Sequence, residues 1–280
     1  MQVICQIATL QKQLNELKSE GKNIGFVPTM GALHQGHISL VERSCNETDI
    51  TVVSIFVNPT QFNEKKDLEN YPRTLEADLE KLKTTNCKFV FAPTAEEIYP
   101  VPDNRNFDFG QIANVMEGAF RPGHFNGVAI VVSKLFDIVK PNKAYFGEKD
   151  YQQLLIIKEL VKQQNYDITI VPCSIFREAD GLAMSSRNTL LSTEQRKNAS
   201  FISQVLFQAK NIKNELSINE LKKWVISQID SNAYLQTEYF EIANSSTLKT
   251  SISWNELGNK MGFIVVKVGA VRLIDNILFD

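Results

Sequence analysis

Residues 23–37, Asn-Ile-Gly-Phe-Val-Pro-Thr-Met-Gly-Ala-Leu-His-Gln-Gly-His, restrict the fold more than any other stretch of the chain. A short apolar run, Ile24 to Val27, breaks at Pro28 into a loop holding Gly31 and Gly36, and a helical pattern begins at about His37. That order is strand, loop, helix start. Glycines let a backbone approach a ligand closely, and a helix N-terminus presents N–H groups with partial positive charge, so the geometry suits a phosphate. His34 and His37 flank Gly36 at a spacing of three, which lets both rings face one bound anion as donors. A zinc pair is the alternative reading. Zinc normally takes three or four protein ligands, and no third is nearby in sequence.

The strand-and-helix alternation continues. Ile7, Leu10, Leu14 and Leu17, followed by Gly21, predict an amphipathic helix over residues 6–20. Asp49 to Val57 is almost wholly apolar and β-branched, as in a parallel strand buried on both faces. It runs into a polar loop, Asn58 to Asn63, at the carboxyl edge where open α/β sheets bind ligands, and Gln61 there offers donor and acceptor together. Asp67 and Tyr71-Pro-Arg-Thr74 open a helix marked by Leu75, Leu79 and Leu82, and Cys87 to Phe91 gives another strand. Residues 92–106, with Pro93, Pro100 and Pro102, read as an irregular excursion. In the loop Glu117 to Gly127, Arg121 and His124 can meet a phosphate or carboxylate, although Arg-Pro-Gly is also ordinary turn sequence.

Val128 to Val139 has the β-branched density of a strand and the spacing of a helical face. Helix is the reading taken, because Pro141 and the short strand Lys143 to Phe146 need a crossover before them. Gly147-Glu148-Lys149-Asp150 then repeats the opening logic. Lys149 is placed to meet phosphate oxygens and Asp150 to hold a magnesium ion directly or through water, at the start of a helix with Leu154, Ile157, Leu160 and Val161 inward. Gln153, one turn in, reaches the same cleft. Asp167 to Val171 is the last strand of this half, closed by Pro172. In the run 176–188 two hydroxyls, Ser185 and Ser186, stand beside Arg187 in a loop freed by Gly181, forming a mobile anion site.

Beyond Ser192 the pattern changes. A helix from Thr193 to about Leu216, a second from the capping box Ser217-Ile-Asn-Glu220 to about Ser231, and strands over 233–243 and 260–279 describe a smaller α+β domain. The expected architecture is α/β: a Rossmann-like parallel sheet over residues 1–175, then an α+β domain over 176–280 that opens with a nucleotide-contacting loop. At 280 residues and 43% hydrophobic the chain has ample material for packed cores. Lys and Arg number 30 against 32 Asp and Glu, so the net charge of -2 gives no reason to expect nucleic acid or an anionic membrane as partner. Four dispersed cysteines form no Cys-x-x-Cys pair, which argues against a zinc ribbon or a disulfide framework and for a reducing, cytoplasmic setting. The N-terminus has no basic leader pattern, and nowhere do about 18 apolar residues run together.

Several ordered motifs carry a resemblance. Pro28-Thr-Met-Gly-Ala-Leu33 runs into His34-x-Gly-His37; Ser54-Ile-Phe-Val-Asn-Pro-x-Gln-Phe62, Arg121-Pro-Gly-His-Phe-x-Gly-Val128 and Met184-Ser-Ser-Arg187 follow, with an echo in Val268-Gly-x-x-Arg-Leu-Ile-Asp-Asn276. Together they resemble the pantoate–β-alanine ligases of the His-x-Gly-His nucleotidylyltransferase superfamily. That resemblance implies ATP-dependent condensation of pantoate with β-alanine through a pantoyl adenylate, a step in vitamin B5 and coenzyme A precursor biosynthesis. It implies ATP contacts at Met30, Gly31, Ala32, Leu33, His34, Gln35, Gly36 and His37, at Gly147, Glu148, Lys149 and Asp150, and at Phe176, Met184, Ser185, Ser186 and Arg187. His34, His37, Lys149 and Arg187 would carry the catalytic charge stabilisation, Gln61 and Gln153 would bind pantoate and β-alanine, and Mg2+ and a homodimer are expected. The competing readings are a plain nucleotidylyltransferase, a tRNA synthetase, which the short length and absent basic surface disfavour, and a nucleotide-binding regulator without catalysis, which would have lost histidines or Lys149.

Overall fold

The computed structural model describes residues 1–62, 68, 69 and 71–279. Asn63 and Asp67, assigned above to a loop end and a helix lead-in, lie outside the described residues. The chain divides into two compact units, Met1–Glu148 with Gln153–Cys173, and Lys149–Gln152 with Ser174–Asp280.

The first unit is built on a six-stranded sheet in the order β1-β4-β3-β2-β5-β6, where β1 is Gln2–Ile4, β2 Ile24–Thr29, β3 Ile50–Ile55, β4 Phe89–Phe91, β5 Lys143–Gly147 and β6 Thr169–Cys173. Every pairing is parallel. Phe26 and Val27 on β2 and Val52 and Val53 on β3 are all fully buried, so consecutive residues on opposite faces both meet core. This is why these strands read as continuous apolar runs. Leucines of the Ile7–Ser19 and Leu75–Leu82 helices join them, Leu10, Leu14 and Leu82 being buried. From β2 the chain winds outward through β3 and β4; β5 returns to the other side of β2 and continues to β6. The winding therefore reverses between β2 and β5, the place where open parallel sheets leave a crevice at their carboxyl ends.

Several boundaries differ from the sequence reading. The helix expected from His37 spans Gln35–Glu47, because His34 itself takes the extended N-cap conformation. The crossover helix starts at His124 rather than Val128 and runs to Val139, and the Pro-rich excursion contains a helical turn, Ala95–Ile98, whose Glu97 N–H is capped by the Thr94 hydroxyl. Pro172 does not close β6. It sits within the strand opposite Phe146, which costs nothing in the outer pairing direction because β6 is an edge strand and needs no further N–H donor there.

The second unit pairs an antiparallel sheet, β7 Leu235–Asn244, β8 Lys260–Val268 and β9 Val271–Phe279, with helices Phe201–Ile212 and Ile218–Asp230. Leu206, Leu221, Val225, Phe240, Ile264 and Leu273 close one apolar core. The single helix expected from Thr193 is two, Thr193–Ala199 and Phe201–Ile212, separated at Ser200. Ser217 and Glu220 form the expected capping box, the Ser217 N–H donating to the Glu220 carboxylate at 2.9 Å. Among the described residues no helix is long and apolar enough to cross a membrane.

Candidate active site

The loop after β2 is shaped by one carboxylate. Gly31 and Ala32 both lie in the left-handed region, at φ 81° and 49°. That conformation is strained for alanine. The loop is held there by Asp78, fully buried on the Leu75–Leu82 helix, whose Oδ2 accepts the Ala32 N–H at 2.9 Å and whose Oδ1 accepts the Leu33 N–H at 2.7 Å. Below it the Thr29 hydroxyl donates to the Ser54 carbonyl and accepts the Gly31 N–H, tying the loop to β3.

This loop delivers the two histidines to the helix start. The His34 backbone N–H donates to His37 Nδ1 at 3.2 Å, and the ring centroids are 3.9 Å apart at 33°. A nitrogen that accepts carries no proton, so the neutral His37 ring keeps its hydrogen on Nε2 and presents it as a donor. Both rings are half-buried at the first turn of Gln35–Glu47, where the helix N-terminus adds partial positive charge. Among the described residues no group of three or more His, Cys, Asp or Glu could hold a metal ion.

Gln61 ends the short turn Pro59–Gln61 beyond β3 and is buried. Asn58 donates to its Oε1 at 3.2 Å, and its Nε2 lies 2.9 Å from the Met30 sulfur. Gln61 thereby reaches the loop that carries the histidines. Two residues that the sequence marked only as loop chemistry prove to be its supports. His124 Nδ1 meets the Gln61 carbonyl at 2.9 Å and its Nε2 meets Arg121 at 3.1 Å. A carbonyl only accepts and a guanidinium only donates, so His124 carries its proton on Nδ1. The turn also packs directly on the crossover helix: a Cβ on Gly127 would collide with the Thr60 carbonyl oxygen. Tyr99 completes the support, donating to Asn58 Oδ1 at 2.8 Å, and burial raises its phenol above the ordinary value, so it remains a neutral donor. Gln153 is half-buried at the third position of the Tyr151–Gln163 helix.

The second unit carries the cationic candidates. Lys149 is half-buried and Asp150 exposed, on the short turn Glu148–Asp150 that follows Gly147 at the end of β5. Residues 176–188 are more tightly built than a loop freed by glycine. Arg177 and Ala183 bridge as a small hairpin, the Glu178 N–H donates to the Leu182 carbonyl, and Gly181 at φ 91° serves its turn. Arg196 pins the hairpin through Glu178 and Asp180, both at 2.6 Å, and holds the Asp180 carboxyl below the usual carboxylate range. Ser185 then caps the turn Ser186–Leu190, its hydroxyl accepting the Arg187 N–H. Met184, Ser185, Ser186 and Arg187 are half-buried, and Phe176 is exposed.

Asp78, Asn58 and Tyr99 are the residues that sequence reasoning missed. Asp78 left a signal, since it falls on the same helix face as Leu75, Leu79 and Leu82, where a carboxylate needs a reason to be. Tyr99 left none.

A parallel sheet whose winding reverses beside a glycine loop, with two imidazoles opening a helix at that point, defines a nucleotide-handling α/β enzyme of the His-x-Gly-His type. The comparisons specify which. The sequence profile of the family described as Pantoate-beta-alanine ligase matches residues 2–278, and the chain belongs to that family. It is a ligase that joins pantoate to β-alanine. The pantothenate synthetase of Bacteroides fragilis (strain YCH46) is 54% identical over 279 residues, 100% of this chain and 99% of that one, and that of Porphyromonas gingivalis (strain W83) is 50% identical over 280 residues, all of both chains. The crystal structure of pantothenate synthetase from Thermus thermophilus superposes with a TM-score of 0.92 at 38% identity, covering 99% of each chain. A pantoate-beta-alanine ligase from Francisella tularensis, complexed with beta-gamma ATP and beta-alanine, gives 0.83 at 38% identity over 100% of this chain and 98% of that one.

Proposed function

We propose that ATP binds this chain at Met30 to His37, Gly147 to Asp150, Phe176 and Met184 to Arg187, and that pantoate is held by Gln61 and Gln153 beside it. The observation that carries this reading is the oriented His34–His37 pair at the sheet's winding reversal. A carboxylate will not condense with an amine in water. A pantoate carboxylate oxygen attacks the α-phosphorus and pyrophosphate leaves; the β-alanine amine then attacks the acyl carbon of the enclosed pantoyl adenylate, and AMP leaves. No protein nucleophile is required.

The residues have separate tasks. His37 donates its Nε2–H to the charge developing on the phosphates, with His34 beside it, while Lys149, Ser185, Ser186 and Arg187 neutralise the leaving pyrophosphate. Gln61, clamped by Asn58 and His124, orients pantoate and turns a bimolecular step into a positioned one. The segment 176–188 shields the mixed anhydride from water. A magnesium ion fits this site: Asp150 offers one exposed carboxylate, and Mg2+ is commonly held by one or two carboxylates, substrate phosphates and its own waters rather than by a protein cage. When bound it would supply further charge neutralisation at the β- and γ-phosphates. The functional division runs near residues 175 and 176; the chain acts as a homodimer, as its family resemblance implies, and in the cytoplasm, the setting its dispersed cysteines favour.

A pyrophosphate-release assay with ATP and magnesium tests the reading. Release should require pantoate but not β-alanine, and AMP should appear once β-alanine is added; release with a phosphorylated acceptor in place of pantoate would make the chain a plain nucleotidylyltransferase. His37→Ala should cost on the order of 10²-fold or more in rate, as for loss of a preorganised donor. A variant within about threefold of wild type would remove that role from His37.

A further inference from the structure

The stretch Val268-Gly-x-x-Arg-Leu-Ile-Asp-Asn276 has no task in the reaction as described, yet two of its polar residues are buried: Asp275 and Asn276 are 4% and 5% exposed on β9. Successive strand residues face opposite ways. Here each reaches a different cation-bearing segment of the same unit. Asp275 forms a two-point pair with Arg177, Nη1 to Oδ2 at 2.7 Å and Nη2 to Oδ1 at 3.0 Å. The same guanidinium donates to the Gly181 carbonyl at 3.1 Å and lies 5.0 Å over the Phe207 ring, so the base and the turn of the hairpin leading to Ser185–Arg187 are fixed by one carboxylate. Asn276 Nδ2 donates to the Lys149 backbone carbonyl at 3.0 Å. Phe263, opposite Asn276 in the β8–β9 ladder, packs its ring 5.9 Å from that of Tyr151, two residues beyond Lys149. Burial raises the Asp275 carboxyl, while the Arg177 hydrogen bond and charge, and the charge of Lys149, pull it back.

We propose that Asp275 and Asn276 are positioning residues for the nucleotide step: from adjacent places on one strand they hold the Ser185–Arg187 segment and the Lys149 backbone at a fixed mutual spacing. The idea rests on the reading that Lys149 and Arg187 grip the triphosphate. One strand then sets both grips, and a shift in it misplaces them together. The adenylate step needs that alignment, whereas attack of β-alanine on preformed pantoyl adenylate, which has no pyrophosphate left to hold, does not.

The test compares those two half-reactions in Asp275→Asn, which keeps shape and loses charge, and in Asn276→Ala, which removes the donor. Each should lower kcat/KM for ATP in pantoate-dependent pyrophosphate release by on the order of 10-fold or more, weaken equilibrium binding of a non-hydrolysable ATP analogue, and leave turnover of supplied pantoyl adenylate with β-alanine within about threefold. Loss of folded protein scales both half-reactions alike and cancels in their ratio, so partial misfolding of either variant does not hide the result. Equal losses in the two half-reactions, or unchanged ATP kinetics, overturn the proposal. Lys149→Ala and Arg187→Ala separate it from its parent reading. If they lose the ATP step and Asp275→Asn and Asn276→Ala do not, the inference alone falls; if they keep it, the parent reading falls and takes the inference with it.

Discussion

An added Cβ at Gly147 would meet nothing within 4 Å, and this glycine has no left-handed φ. Nothing in the free protein therefore demands glycine there. If the nucleotide lies against this turn, the open space is where its phosphates approach the backbone. Gly147→Ala should melt like wild type, within about 0.5 kcal/mol, and raise KM for ATP 10-fold or more; normal ATP kinetics would place the nucleotide elsewhere. The same scale separates what the sequence disclosed from what it hid. His34 and His37 were legible as a pair at a helix start because the glycine between them and the helical pattern after them lie in one short stretch. The orientation of the His37 ring was not, because it depends on one backbone N–H that reaches His37 Nδ1 only when His34 is the N-cap. Asp78 was readable in principle as a charge on an apolar helix face, but its partners, the N–H groups of Ala32 and Leu33, belong to every residue alike and leave no mark in sequence.

At the scale of elements, strand and helix types followed from periodicity, while joints depended on contacts distant in sequence. The Gln61 turn and the crossover helix were each expected; that the first rests on the second was not, since the link is a glycine surface and a carbonyl 63 residues from its histidine. Gly127→Ala would push a methyl against the backbone of Thr60 and Gln61, and backbone cannot swing aside as a flexible side chain can. The expected cost is about 1–3 kcal/mol of stability from overpacking. KM for pantoate should rise more than KM for ATP, because the displaced residue, Gln61, is the proposed pantoate contact. A Gly127→Ala enzyme with unaltered pantoate kinetics would show that the turn does not position Gln61 for the substrate. Pro172 shows the opposite limit: local sequence read it as a stop, and only the strand order, which puts β6 at an edge, explains why the strand continues through it.

At the scale of the whole chain, the residues proposed for the nucleotide fall in separate units by sequence, Met30 to His37 in the first, Lys149 and Ser185–Arg187 in the second. The chain enters the second unit at Lys149, leaves it after Gln152 and enters again at Ser174. The two tryptophans provide a readout, for Trp224 and Trp254 both pack on the core of the second unit and none lies in the first. Tryptophan fluorescence during thermal unfolding thus follows the second unit alone. A ligand that binds only the native state at 100 times its Kd stabilises by about 2.7 kcal/mol. ATP at that excess should delay the tryptophan transition, and Arg187→Ala, which removes only a second-unit contact, should abolish most of the delay. If ATP leaves the tryptophan transition in place while shifting the circular-dichroism transition of the whole chain, the nucleotide is held by the first unit only, and the roles given to Lys149 and Arg187 cannot stand.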